Sequence, residues 1–580
     1  MARRISPKGK KKNSPVRTGK VERSGDLDDR NRNRRILILI LAGAAALAVS
    51  LAIYILRLDR VAGLIVDDAW YVLLAKALAT GQGYTLINSP TPGITPLYPP
   101  GFPALLSIFY RLSPDFPDNV CLLKSVSIAA MIALGFLSFR YFERYRALPT
   151  YVAFALAFTT AIYPALVFLA TSTVMSECVF TLTQLAAILE LERAVRRDAS
   201  GRPTSSAWAD TAIGGALASF AFLTRSAGVG LLLGGAIYLL KERLPKQAGV
   251  FAAVVAIGVG PWTLYSRSHT PTLEQRIEQG GSIVLPYTTQ FWQRLAGRSV
   301  SGTITIAELP ERVWNNLLEI GKDDFGAFVL YSSYRPLEPG ESMHIGDAAA
   351  RISLFVSLLA LAGYVATVRE RVTLAEIVTP LQMGVPLLWA WEQYRLLLPL
   401  LPFLLFYVLM GVRWIAGLWQ RLYAGADSRD VGAAAIPLLA TSWIFVVSAL
   451  YANYQYIQRK LDPAPEYRTR WIRTFEENEA FIRYVGENIP TDEPLVTQNP
   501  ALVNLYTGHK TIASNDPAGR WEVWKRLGVR YAAMTSLDPV QLDANDSRYP
   551  TLHRTSGRLG LRLLDLGPPS SRPAYQNGEN

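Results

Sequence analysis

Eleven stretches of apolar, almost uncharged sequence recur along this chain, and they limit what it can fold into more than any other feature. They run at Ile36–Leu56, Val120–Phe139, Leu148–Leu169, Val174–Leu191, Trp208–Leu223, Ala227–Leu240, Ala248–Tyr265, Ile352–Val368, Leu374–Trp391, Leu396–Ile415 and Ala433–Tyr454. A helix needs roughly 20 apolar residues to cross the hydrocarbon core of a bilayer. Within lipid, only a helix or a closed barrel satisfies its own backbone. The expected fold class is a multi-pass α-helical membrane protein of about 11 transmembrane helices.

The charges test that reading independently. The first 35 residues carry 13 Lys/Arg against 4 Asp/Glu and hold most of the chain's net charge of +13. They are nearly free of apolar side chains, so residues 1–35 are expected to be a disordered tail. The run that follows is too long for the apolar region of a signal peptide, so the tail reads as cytoplasmic and the first helix as running outward. Every second connection is then expected to be basic, and it is: Arg140, Arg144 and Arg146; Arg193, Arg196 and Arg197; Lys241, Arg243 and Lys246; Arg369 and Arg371; Arg413, Arg421 and Arg429.

The positive charge is thus that of a polarised membrane protein, in contact with the lipid bilayer. No aromatic platform or reading motif accompanies it, so no nucleic acid is expected as a partner. The expected location is the plasma (inner) membrane, with the N-terminus cytoplasmic and the C-terminus extracytoplasmic.

This topology puts three larger segments outside. Two are loops at 57–119 and 266–350, set in a membrane domain spanning 36–457. The third, 458–580, is expected to be a small extracytoplasmic α/β module with a disordered end. In it, Trp471, Phe475, Phe481, Ile482 and Val485 mark an amphipathic helix ending near Pro490. Pro494–Gln498 and Val529–Met534 are expected strands. Two cysteines exclude a disulfide scaffold; Cys121 and Cys178 fall in spans and read as packing residues. His269, His344, His509 and His553 are scattered, so no zinc cluster is expected.

The first outer loop is the densest in chemistry: VDDAWYVLLAKALATGQGYTLINSPTPGITPLYPPGFPALL at 66–106. Asp67 and Asp68 precede a short amphipathic helix, Ala69–Thr80, that stops at Gly81 and Gly83. One carboxylate suffices to cap that helix, and a second acid near lipid is costly without a task. Tyr98-Pro99-Pro100-Gly101-Phe102-Pro103 is a rigid turn into the next apolar helix.

An acidic pair after the first span, a helix ending in Gly-x-Gly-Tyr and a Pro-Pro-Gly element resemble the GT-C membrane glycosyltransferases. The resemblance is to the branch that uses polyprenyl-phosphate sugars: protein O-mannosyltransferases, the lipid A aminoarabinose transferase and lipopolysaccharide galacturonosyltransferase-like proteins. Ser176-Glu177, Leu223-Thr224-Arg225, Pro261-Trp262 and Tyr394-Arg395-Leu396-Leu397-Leu398-Pro399 resemble further family elements in the same order, across residues 36–455. Two details depart from the pattern: Asp-Asp where many relatives have Asp-Glu, and Tyr-Arg where the family has Arg-Tyr.

The resemblance implies an inverting glycosyltransferase moving a hexosyl or pentosyl unit from a polyprenyl-phosphate-linked sugar to an extracytoplasmic acceptor, a glycolipid, polysaccharide or protein. Asp67, with Asp68 next, is implied as the catalytic base. Arg225 and Arg395, at outer ends of spans, suit donor-phosphate binding; for Arg395 the structural alternative is pairing with Glu392. Glu177 is expected to bind substrate or to orient an arginine. Tyr394 and Trp262 complete the substrate-binding candidates, Trp262 against the alternative of an interfacial anchor. No cofactor is implied, and a divalent metal on Asp67 and Asp68 is not favoured. The rival readings are a transporter or flippase for lipid-linked sugars, which needs polar or broken helices at mid-membrane, and a non-catalytic membrane scaffold.

Overall fold

A computed structural model describes residues 21–197, 204–294, 302–336, 345–390, 393–423, 435–464, 468–514, 517–535 and 549–567. It divides into two compact units, Met1–Ala52 and Ile53–Asn580. The first unit is helical from Val21 onward, part of the helix Val21–Arg57. Residues 21–35, expected to be disordered, are therefore helical, because an apolar helix already formed downstream propagates upstream at little cost. Residues 1–20 of the expected tail lie outside the described residues, as does the expected disordered end from 568.

Each of the eleven apolar stretches is mostly helical over its described residues. Among the described residues, however, six helices are long and apolar enough to cross a membrane: Ile36–Arg57, Val120–Arg144, Pro245–Ser268, Asp347–Glu370, Gln393–Leu422 and Ala435–Lys460. A seventh is obtained if Thr150–Ala161 and Pro164–Thr171, bent by 41°, form one broken span. Pro164, which lacks a backbone donor, opens the second half of that pair.

The expected count of 11 thus includes four helices that fall short. Ser226–Lys241 and Leu374–Leu388 are too short. Glu177–Ala194 carries Glu177, Glu190, Glu192 and Arg193, and Ala207–Thr224 is diluted by Asp210, glycines and hydroxyl side chains. The chain is an integral membrane protein. The helices Asp347–Glu370 and Leu401–Tyr423 meet at Gly363 and Gly411, where any Cβ would strike the opposing backbone at Tyr407 and Leu359.

The C-terminal region is a small α/β module. The amphipathic helix Arg470–Asn488 buries Trp471, Phe475, Phe481, Ile482 and Val485 as expected, and its first turn is capped by Thr469. Among the described residues five strands follow: β1 (Leu495–Thr497), β2 (Thr511–Ala513), β3 (Tyr531–Met534), β4 (Thr551–Arg554) and β5 (Arg562–Asp565). They form one sheet in the order β2-β1-β3-β5-β4, with β1 parallel to β2 and β3. β5 runs antiparallel to β3 and β4. Both expected strands are present, as β1 and β3.

The module docks on both long loops. Trp471 packs edge-on to Phe168 at 5.3 Å and donates to the Ser172 carbonyl at 3.2 Å. Asn88 of the first loop bonds Thr511 of β2. Arg520 donates to the carbonyls of Ile277 and Glu278 in the second loop. The two loops also meet directly, Leu97 N–H donating to the Ile283 carbonyl at 3.2 Å.

Candidate active site

The helix Asp67–Ala79 starts from a strained corner. Val66, just before it, has φ 69°, a conformation that a β-branched residue adopts only when its surroundings impose it. Asp68 supplies part of that constraint. It is fully buried and accepts from Gly63 N–H (2.7 Å), Ile65 N–H (3.1 Å) and its neighbour Ala69 N–H (3.1 Å). The carboxylate is thereby spent on organising the loop that presents Asp67. Asp68, the second candidate for the catalytic base, makes no hydrogen bond or ion pair to the side chains described next.

Burial pushes the Asp68 carboxyl up to about 6, against the opposing pull of the Gly63 amide. A folded pKa above the unfolded one means that the native state holds more protons between the two values. Stability therefore falls as pH rises from the unfolded value toward about 6. In detergent, the wild-type melting temperature is expected to drop between pH 5 and pH 7.5 by more than that of Asp68→Asn. Equal slopes would contradict the assignment.

Asp67 faces the other way, into a chain of four charged groups. Its Oδ2 pairs with Arg395 Nη2 at 2.6 Å, and Arg395 Nε donates to Glu177 Oε1 at 2.5 Å. The same Glu177 oxygen takes Arg225 Nη1 at 2.6 Å. Two carboxylates and two guanidiniums thus alternate along one line. Glu177 lies at its centre with a 0% exposed side chain; Asp67 and Arg395 lie at the reachable end, 28% and 30% exposed. Their backbones come from four places far apart in the chain. Glu177 opens the helix Glu177–Ala194; Arg225 sits in extended backbone where Ala207–Thr224 ends; Arg395 lies in the short helix Gln393–Leu397 before Pro399.

The Pro-Pro-Gly element brings the first loop onto Arg225. A Cβ on Gly101 would lie 2.8 Å from the carbonyl carbon and oxygen of Leu223, so only glycine permits this approach. The residue before the two prolines, Tyr98, donates its hydroxyl to Asp67 Oδ1 at 2.6 Å. Tyr71, one helical turn beyond Asp67, packs against Tyr98 and Phe102 at 5.5 and 5.1 Å. Its hydroxyl lies 3.2 Å from Ser176 Oγ. Both Asp67 oxygens are therefore held, one by a phenol and one by a guanidinium.

The other sequence candidates divide. Trp262 is half-buried and meets Tyr84 edge-on at 5.6 Å; Tyr84 in turn donates to the carbonyls of Tyr98 and Pro99. Trp262 thus buttresses the turn that carries Tyr98. Tyr394 lies apart from the four charges. Its hydroxyl is 2.5 Å from that of Tyr163, its ring stacks on Phe328 at 5.5 Å, and the Arg335 guanidinium covers it at 4.2 Å. It is 7% exposed and packs beside the four charges without joining them. Glu392 lies outside the described residues; Arg395 finds its partners in Asp67 and Glu177.

Tyr98 and Tyr71 were not singled out from sequence as site residues, and Ser176 was named only as part of the Ser176-Glu177 element. Tyr71 carries a usable signal, four residues after Asp67 on one helix face. Tyr98 was legible only as part of a turn. Among the described residues no three His, Cys, Asp or Glu side chains are grouped as metal ligands. The donor set around Asp67 also does not fit a divalent cation, since the neighbouring carboxylate Glu177 already holds two guanidiniums and Asp67 itself holds one.

No family profile matches the chain, and no curated protein matches it. Solved structures do. ArnT from Cupriavidus metallidurans bound to undecaprenyl phosphate is 13% identical, with a TM-score of 0.51 over 90% of this chain and 97% of that one. The Archaeoglobus fulgidus oligosaccharyltransferase tethered to an acceptor peptide is 12% identical, with a TM-score of 0.50 over 85% of this chain and 68% of that one. The same oligosaccharyltransferase in complex with Zn and sulfate gives a TM-score of 0.52 at 12% identity. At this identity the likeness is one of fold, and the fold is GT-C-like.

Proposed function

We propose that the protein is an inverting glycosyltransferase that moves a sugar from a polyprenyl-phosphate carrier to an acceptor on the face bearing the two long loops and the C-terminal module. The observation that carries this reading is the line Asp67–Arg395–Glu177–Arg225, with a carboxylate and a guanidinium at its accessible end. Structures of the same fold hold undecaprenyl phosphate in one case and an acceptor peptide in another. The alternation of basic connections supports an N-terminus in the cytoplasm, which puts that face outside the plasma membrane.

The chemistry follows from the arrangement. Arg395 and Arg225 keep N–H groups beyond those given to Glu177 and Asp67, and guanidinium is suited to paired contact with phosphate oxygens. An arriving donor phosphate competes with Asp67 for Arg395. Asp67 Oδ2, released, accepts the proton of the acceptor hydroxyl while the acceptor oxygen bonds the anomeric carbon from the face opposite the phosphate. The bond from that carbon to the phosphate oxygen breaks, and the departing charge falls on the two arginines. Glu177 neither gives nor takes a proton; it fixes both guanidiniums before the substrate arrives. No step requires a cofactor or a metal.

The test is to incubate the purified protein with radiolabelled undecaprenyl-phosphate sugars and a membrane extract as acceptor source, in detergent and in vesicles. Label moving to the extract supports the reading. Label crossing vesicles unchanged would establish a flippase, and label doing neither would leave a scaffold.

A further inference from the structure

The C-terminal module reaches the loop behind Asp67 through a short relay. Asn499, 5% exposed at the start of the helix Pro500–Thr507, donates from Nδ2 to the Gly63 carbonyl at 2.5 Å. Gly63 N–H in turn donates to Asp68 Oδ2 at 2.7 Å, and Asp68 is the immediate neighbour of Asp67. The contact is close as well as polar. Gly63 has φ +93°, and a Cβ there would collide with Leu502 of the same module helix.

A second grip lies further along the loop. Asn88, fully buried, accepts from Thr511 N–H at 2.7 Å and donates from Nδ2 to the Thr511 carbonyl at 2.9 Å. The edge of β2 therefore holds the first loop as it would hold another strand. The module grips the loop on both sides of the helix that carries Asp67.

We propose that the C-terminal module is a clamp that sets the position of Asp67, with Asn499 as its positioning residue. The inference rests on the reading of Asp67 as the base. It assigns to residues 458–580 a part in turnover without contact to either substrate. A base must sit within hydrogen-bond reach of the proton it takes, and small displacements of a held group are costly in rate.

Asn499→Asp isolates the relay. It retains the oxygen that accepts from Leu502 N–H at 3.3 Å, and so keeps the helix cap, but it cannot donate to Gly63. In the full-length protein, the amides of Gly63, Ile65 and Ala69 are expected to exchange about tenfold faster in Asn499→Asp, with the rest of the helix Asp67–Ala79 unchanged. With whichever radiolabelled undecaprenyl-phosphate sugar the wild type turns over, kcat is expected to fall about tenfold while the donor KM stays within about twofold, since Arg225 and Arg395 are untouched. Unaltered exchange at those three amides together with unaltered kcat would overturn the clamp. Wild-type turnover by Asp67→Asn would instead overturn the base assignment, and the exchange measurement would still decide on the clamp.

Discussion

Asp67→Asn is expected to lower sugar transfer by about 10²- to 10⁴-fold, the usual worth of a positioned general base. Binding of undecaprenyl phosphate is expected to hold or tighten. Asparagine keeps an oxygen for the Tyr98 hydroxyl but cannot take a proton, and it no longer neutralises Arg395. The guanidinium is then more open to a phosphate. The residue is partly exposed, so the substitution is expected to leave the fold intact. Loss of rate with retained lipid-phosphate binding separates a base from an anchor. Loss of both would make Asp67 a structural counter-charge, and loss of neither would remove it from the site.

Glu177→Gln is expected to have the largest effect on stability. The carboxylate is fully buried and is the shared partner of Arg225 and Arg395. Removing one member of a buried charged set leaves the others uncompensated, typically at a cost of ~3–5 kcal/mol. Among the described residues its second oxygen has no hydrogen-bond partner, so the carboxylate there is held by charge rather than by a full set of donors. A large drop in melting temperature, with transfer lost as the guanidiniums separate, is the expected pair of results. Its contrast with Asp67→Asn, where melting is little changed, checks the division of roles. Unchanged melting and transfer in Glu177→Gln would contradict the reading of Glu177 as the hub.

Much of this site was legible in the sequence as separate pieces. Glu177, Arg225 and Arg395 were each picked out where an apolar helix begins or ends, the positions at which a membrane protein can keep charge, and Asp67 as half of an acidic pair in the first outer loop. Their assembly was not legible, because the ion pairs join residues 218 and 328 positions apart, and no local rule reaches that far. Periodicity and charge could not separate Asp67 from Asp68 either. One residue on a helix turn decides which carboxylate faces the arginines and which faces the loop's own amides. Tyr394 parts from its neighbour for the same reason, since Arg395 points to the four charges while the tyrosine packs among Tyr163 and Phe328.

For the fold, apolar runs located every span-length helix among the described residues but overcounted spans. Runs such as Glu177–Ala194 form helices too polar or too short to cross a membrane, with Glu177 and Glu192 buried inside the protein. In the C-terminal module, β1 and β3 were found as apolar runs. β4 is largely exposed and irregular in register with β5, so it carried no alternating pattern.

A structure of the full-length protein with undecaprenyl phosphate bound tests the site most directly. Phosphate density is expected against the guanidiniums of Arg225 and Arg395, with Glu177 still joining the two and Asp67 released from Arg395. A phosphate bound away from both arginines, with the Asp67–Arg395 pair intact, would contradict the proposed site.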